Sequence, residues 1–186
     1  MGANHGVLLG GAGYAPGLVG EAFSFDGSGR VEIPHSPSLS FTVGSSMTVE
    51  LWAYRTASYL PYHIIGKRDG CGPWVEWNYM IGIDASVPET PLNTWIHWAL
   101  VVAESGTYVY TNGALYFSAP GATLGPENTV PLTIGTAGIC APFTGLIDEV
   151  AIYNRALSSN EIAAIHAAGS VGVCKRLQPP VSILVN

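Results

Sequence analysis

Apolar and polar residues alternate in short runs along most of the chain, and Gly, Pro, Asn-Gly and Asp-Gly break the runs. A period of two is that of a strand with one buried face. "MTVELWAY", Met47 to Tyr54, sets Val49, Leu51 and Ala53 against Thr48, Glu50, Trp52 and Tyr54. "AFSFDG" and "GRVEIP" predict a hairpin turning at Asp26-Gly27 and ended by Pro34. "HIIGK" and "NYMIGID" predict two strands around a loop rich in Gly, Cys and Trp, and "TWIHWALVV", apolar on both faces, predicts a central strand of a two-layer structure. In "GTYVYTNGALYFS", Asn112-Gly113 joins two alternating runs, the dipeptide of a type I′ hairpin whose central residues both need positive φ. "PLTIG" and "GLIDEVAIY" complete the strands.

The period changes once. "ALSSNEIAAIHAAG" predicts a helix near 159–168, with Ser158 as N-cap, Glu161 closing a capping box, Leu157 stapled onto Ile162 and Gly169 as the stop. The remainder, 171–186, carries a Pro-Pro pair and is expected to run on as a tail or linker after a domain spanning 1–170. Ten or more short strands with one late helix predict an all-β antiparallel sandwich.

Composition agrees with many strands and tight turns: of 186 residues, 48% are hydrophobic and only 11% charged, with 23 Gly and 13 Pro. The net charge of −6, with seven Lys and Arg in all, excludes nucleic acid and anionic membrane surfaces as partners. The opening text has no basic segment and no sustained apolar run, so neither a signal peptide nor membrane insertion is expected; it reads as the interior of a larger protein. Cys71, Cys140 and Cys174 are too widely spaced for a zinc site. Cys71 and Cys140 both lie in Gly-rich loop text, and a disulfide between them is expected, which implies an oxidising, extracellular or cell-surface setting.

The ordered series "FSFDGSGRVEIPHSPSL", "MTVELWAY", "IIGK", "TWIHWALVV", "YTNG", "LTIG" and "FTGLIDEVAIYNRALSSNEI" resembles the laminin-G-like domains of the concanavalin A-like superfamily, in particular the bacterial, pentraxin-like branch. The resemblance covers roughly residues 4 to 170. It implies a jelly roll of two curved antiparallel sheets, ligand-binding rim loops in some members, and a calcium ion near the edge in many. On that resemblance Asp148, with Asp26 and nearby carbonyls, is a candidate calcium ligand. The residues alone also allow Asp26 to be a turn residue and Asp148 to be bonded to backbone amides. Alternation from Gly145 to Tyr153 puts Asp148 and Glu149 on opposite faces, so Glu149 is expected to pair with Arg155 in a packing role.

The superfamily also contains glycoside hydrolases and polysaccharide lyases. Retaining hydrolysis needs two carboxylates about 5–5.5 Å apart, and no Glu-x-Asp-x-Glu spacing is present. The "WIH" at 95–97 lacks the neighbours of a lyase motif, so His97 is expected to be a buried, hydrogen-bonded histidine. Aromatic residues crowd one stretch: Tyr59, Tyr62, Trp74, Trp77 and Tyr79. Trp52, Trp95 and Trp98 are expected in the core, and Trp77 and Tyr79 also enter a strand. Trp74, following Pro73, is the expected exposed ring, with Tyr59, Tyr62, Arg68 and Glu76 completing a ligand-binding surface. The expected function is a non-catalytic, calcium-stabilised lectin-like module that binds a glycan, or alternatively a cell-surface protein.

Overall fold

The two-residue period is realised as two stacked sheets. The computed structural model describes residues 4–58, 61–71, 77–83, 90–137, 139–171 and 183–185. Among these the strands are β1 (Asn4–Leu9), β2 (Ala12–Pro16), β3 (Glu21–Asp26), β4 (Arg30–Ile33), β5 (Met47–Arg55), β6 (Tyr62–Arg68), β7 (Trp77–Ile83), β8 (Trp95–Ala103), β9 (Gly106–Thr111), β10 (Ala114–Pro120), β11 (Leu132–Ile134), β12 (Thr144–Tyr153) and β13 (Ile183–Val185). One sheet runs β10-β9-β8-β5-β12-β3-β2. The other runs β1-β4-β11-β6-β7, with β13 added in parallel beside β1. The expected tail thus returns at 183–185 as an edge strand.

The core lies between the sheets. Val49 and Leu51 of β5 and Trp98 and Leu100 of β8 meet Ile33 of β4, Ile134 of β11, Ile65 of β6 and Ile81 of β7. This is the antiparallel jelly-roll sandwich that the alternation predicts. The Asn112-Gly113 turn joins β9 to β10 with φ of 49° and 78°, the left-handed pair a type I′ turn requires. Cys71, beyond β6, and Cys140, beyond β11, form a disulfide with Cα atoms 5.2 Å apart.

Three expectations are corrected. First, β3 and β4 are not a hairpin: β3 pairs with β2 and β12, whereas β4 pairs with β1 and β11 in the opposite sheet. The Asp26-Gly27 text instead carries the chain between layers. Asp26 Oδ1 accepts the Ser28 amide and the Ser28 hydroxyl, both at 2.8 Å, and this Asx turn redirects the backbone. Second, no strand is expected before "AFSFDG", yet the Gly-rich opening forms β1 and β2; β2 lies at the edge of its sheet, where Pro16 leaves no ladder bond unmade.

Third, β12 does not alternate evenly. Its pairing with β5 steps from Asp148 opposite Trp52 to Ala151 opposite Glu50, three residues against two, and Glu149 has a positive φ of 49°. The extra residue is a β-bulge. It resets the faces, so that Ile147 and Ile152 both enter the core.

The helix α1 (Ser159–Ala168) closes the fold, with the expected caps: the Ser158 hydroxyl accepts the Glu161 amide at 3.3 Å and Glu161 accepts the Ser158 amide at 2.8 Å. Leu157, Ile162 and Ile165 pack on Ala99, Val101 and Tyr110, the outer face of the seven-stranded sheet. Around β8 and β9 that sheet is therefore covered on its outer side too. Arg155 stands over the first helical turn, where its guanidinium bonds Glu161 at 2.8 and 3.1 Å; Glu149, the partner expected for it, sits in the bulge of β12.

Arg155, and after it the Ser158 amide, hold the Glu161 carboxyl down to about 2 from its ordinary 4.5. A carboxyl depressed by folding adds stability above its unfolded value, and that contribution is lost as pH falls through the folded one. Glu161→Gln should accordingly be less stable than the wild type at pH 7, with the gap closing between about pH 4.5 and pH 2. Urea titrations across this range measure the gap; a constant difference would remove the ion pair from the account.

Candidate functional site

The carboxylates singled out for a metal do not meet. Asp26 faces Thr144 across the β3–β12 ladder, and Asp148 lies four residues further along β12, about 13 Å away at the rise of a strand. Asp148 is buried and already occupied: Oδ2 accepts the Val19 amide at 2.9 Å and Oδ1 accepts the Glu149 amide at 2.8 Å. A Cβ at Gly17 would stand 2.5 Å from Oδ2, so the glycine makes room for this contact. Asp26 is spent on its own turn, and the Ser28 amide holds its carboxyl below the usual range. Among the described residues no three His, Cys, Asp or Glu side chains converge. The pair does not fit a shared calcium ion, and of the two readings of Asp148 the backbone-bonded one is what the geometry supports.

The nearest approach to catalytic chemistry lies under α1. Glu50 Oε2 is 3.2 Å from His97 Nε2, and the Tyr153 hydroxyl donates to Glu50 Oε1 at 3.4 Å. Trp52 and His166 stack over this group with ring centres 5.5 Å apart. His97 is 0% exposed, so no substrate reaches it. These groups join the sheet to the helix.

The aromatic stretch divides. Tyr62 is 2% exposed and belongs to the core, its ring 6.0 Å from that of Phe143, its hydroxyl 3.0 Å from Thr90 Oγ1 and the Arg55 guanidinium 4.9 Å from its ring centre. It offers no surface to a ligand, because its place on β6 points between the sheets. Arg68 lies half-buried at the end of β6, donating to Met80 Sδ at 3.4 Å. Tyr59, Trp74 and Glu76, like Cys174, lie outside the described residues. Tyr79 is core, with its hydroxyl donating to Leu39 O at 2.8 Å. Trp95 leaves the core and rests against Tyr54, ring centres 5.4 Å apart, because the faces of β5 and β8 match residue for residue and Tyr54 is on the outer side. Trp77, assigned to a strand, is 45% exposed.

Trp77 is exposed because β7 is the last strand of its sheet. There, at the open edge of the sandwich, β7 and β8–β10 part around a cleft of about 160 Å³. Buried Tyr79, Leu100, Val102 and Leu124 form its floor, and Trp77, Thr107, Ala119 and Thr123 its rim. Two residues back along β10 from Ala119, Phe117 is 53% exposed, extending the apolar surface.

One wall of the cleft is the irregular segment between β10 and β11, and buried polar groups fasten it. Asn78 Nδ2 donates to Gly125 O at 2.8 Å and to Phe41 O at 2.9 Å, Asn78 Oδ1 accepts the Phe41 amide at 3.0 Å, and the Gly125 amide donates to Asn78 O at 3.0 Å. Further along, Lys67 Nζ donates to Asn128 O at 3.0 Å, Asn128 Oδ1 at 3.1 Å and Val130 O at 2.6 Å, and lies 3.1 Å from His35 Nδ1. Burial pushes the Lys67 ammonium down to about 8. Sequence reading missed this cleft because its lining comes from four distant stretches. The one local signal was Trp77 opening the "WNYMIGID" strand.

Known structures share the architecture. Domain 4 of AbnA, a GH43 extracellular arabinanase from Geobacillus stearothermophilus in complex with arabinotriose, is 22% identical, with a TM-score of 0.64 over 84% of this chain and 81% of that one. The binding domain of Paraclostridial Mosquitocidal Protein 1 is 16% identical with a TM-score of 0.63, covering 86% of this chain and 46% of the other. Trypanosoma rangeli sialidase in complex with sialic acid is 16% identical with a TM-score of 0.59, covering 86% and 29%. The chain thus spans less than half of the toxin and sialidase chains, and at these identities the likeness is one of fold. No curated protein sequence matches the chain. A laminin-G family model of the concanavalin A-like lectin/glucanases superfamily matches residues 25–163, and the chain belongs to that family.

Proposed function

We propose that this chain is a non-catalytic glycan-binding module, one unit of a larger extracellular protein. The observation that carries the reading is the Trp77 cleft: an open, aromatic-lipped, apolar recess in a surface otherwise built of strands and turns. Sugar rings present apolar C–H faces to such rings, while their hydroxyls stay at the wet rim. The arabinotriose complex of AbnA domain 4 supports a sugar as ligand for this fold, and the toxin binding domain supports a binding role. The sialidase points the other way, toward glycan chemistry. Against catalysis here stand the sealed Glu50–His97 pair and the commitment of Asp148 to two amides, which take both of these carboxylates out of acid–base or nucleophilic use. The Cys71–Cys140 disulfide supports an oxidising compartment, and among the described residues no helix is long and apolar enough to cross a membrane. The reading uses no calcium bridge between Asp26 and Asp148. Exposed Leu115 and Phe117 on β10 favour a second reading, adhesion to a partner protein.

A glycan array followed by calorimetry tests the proposal. Trp77→Ala should weaken the best array ligand by about tenfold or more, equivalent to about 1.4 kcal/mol, with little change in melting temperature because the ring is half exposed. Asn78→Ala should weaken the same ligand and also destabilise the fold by about 2 kcal/mol, since it strands buried backbone groups. An array with no binder, or release of reducing sugar by the wild type, would sink the reading.

Asp148 gives a stability prediction. Asp148→Ala removes a charged acceptor from two half-buried amides and should destabilise by about 2 kcal/mol. Asp148→Asn, which keeps one carbonyl acceptor, should fall between. The order is checked by urea unfolding in chelator and in millimolar calcium; a large calcium-dependent gain for the wild type would return a metal to Asp148.

A further inference from the structure

The lining of the Trp77 cleft also limits what kind of sugar it takes. Among the described residues that line it there is no Asp, Glu, Lys, Arg or His. Its polar side chains have given their donors away: Tyr79 to Leu39 O at 2.8 Å, Asn78 to Phe41 O and Gly125 O, Thr107 to Ala122 O at 3.0 Å, and Thr123 to Leu124 O at 3.4 Å. Among the described lining residues, the Trp77 indole N–H is the side-chain donor that none of these bonds uses. The remaining valence of the rim is in acceptors, the lone pairs of the Thr107 and Thr123 hydroxyls. A carboxylate, sulfate or phosphate is acceptor-only and needs several donors on leaving water; a hydroxyl can donate. The chain's net charge of −6 also opposes anionic ligands. The volume of about 160 Å³ is well below the ~300 Å³ at which pockets begin to hold drug-sized ligands. It suits one ring.

On this basis, and resting on the glycan-binding reading above, we infer that the cleft takes a single uncharged, hydroxyl-bearing ring, the terminal residue of a neutral glycan, and rejects sialic acid and uronic acids. The apolar face of the ring stacks on Trp77, and its hydroxyls donate to the threonine oxygens. Acidic sugars leave an anion facing acceptors.

The test uses the full chain with its tryptophan indoles observed by NMR, the Trp77 signal assigned by its loss in Trp77→Phe. Arabinotriose and other neutral oligosaccharides chosen from the array are titrated beside free sialic acid and galacturonic acid. The expected result is that a neutral sugar moves the Trp77 signal and the acids bind at least tenfold more weakly. Thr123→Lys, at an exposed rim position, should narrow that gap by adding a donor and a positive charge. Movement of Trp77 by sialic acid or galacturonic acid as strong as by the neutral sugar overturns this inference and leaves the glycan-binding reading intact. Neutral sugar binding that leaves Trp77 unmoved overturns the cleft as the site. No binding by any sugar on the array overturns both.

Discussion

The Asp148 carboxylate, holding the Val19 and Glu149 amides, is the contact from which the rest of the arrangement follows. It stabilises the extra residue in β12, and the extra residue decides which side chains of that strand face inward. Ile147 before the bulge and Ile152 after it both reach the core, and Tyr153 comes out beneath α1, where its hydroxyl meets Glu50. The chain then enters the helix directly, and the helix lies on the outer face of the same sheet. α1 covers the outer face around β8 and β9, while Tyr54 and Trp95 stay half-exposed beyond it; the Trp77 cleft lies at the edge, where β7 and β10 end their sheets.

Charged and amide side chains inside this protein are used as fasteners. Glu50 and His97 join β5 to β8 beneath the helix, Lys67 ties β6 to the segment before β11, and Asn78 ties β7 to the segment after β10. Leaving such a group without a partner in the interior costs several kcal/mol, so each also selects against other packings of the same loops. Lys67 is a clear example: its described partners are neutral oxygens and the His35 ring, so the ammonium is solvated by backbone and amide dipoles in place of water, and its affinity for a proton falls.

Local chemistry was legible in the sequence to the degree that its cause was local. Asn112-Gly113 demands positive φ at both positions, and Ser158 with Glu161 closes a capping box within four residues; both stand where the text puts them. The Gly-rich contexts of Cys71 and Cys140 were enough to pair them. What failed had distant causes. Whether β3 turns back on β4 or crosses to the other sheet depends on β1 and β2, which Gly, Pro and short length conceal. The bulge at Glu149 has no sequence mark beyond the unusual Asp-Glu pair in a strand, and alternation counted without it assigns Val150 and Ile152 to the face of Asp148. Trp95 was misplaced, and the exposure of Trp77 was not legible, for one reason: a ring in a strand is buried only if something covers that strand, and the period of two is silent on sheet order.

The wall of the cleft is held by contacts that are likewise distant in the chain. No helix or strand runs between Pro120 and Leu132, and a free segment of that length would have to be ordered by its ligand, at about 0.5–1.5 kcal/mol for each immobilised side chain. Here the ordering is done on folding. Asn78, on the strand that carries Trp77, grips the segment at Gly125 and ties it to Phe41 before β5, and Lys67, on the neighbouring strand, grips it at Asn128 and Val130. Both anchors are buried and neither lies at the rim, so rim side chains such as Ala119 and Ala122, which make none of these bonds, can change while the anchors hold the wall. A jelly roll built in this way separates the residues that hold the recess open from those that choose its occupant, and the second set can be rewritten while the fold stands.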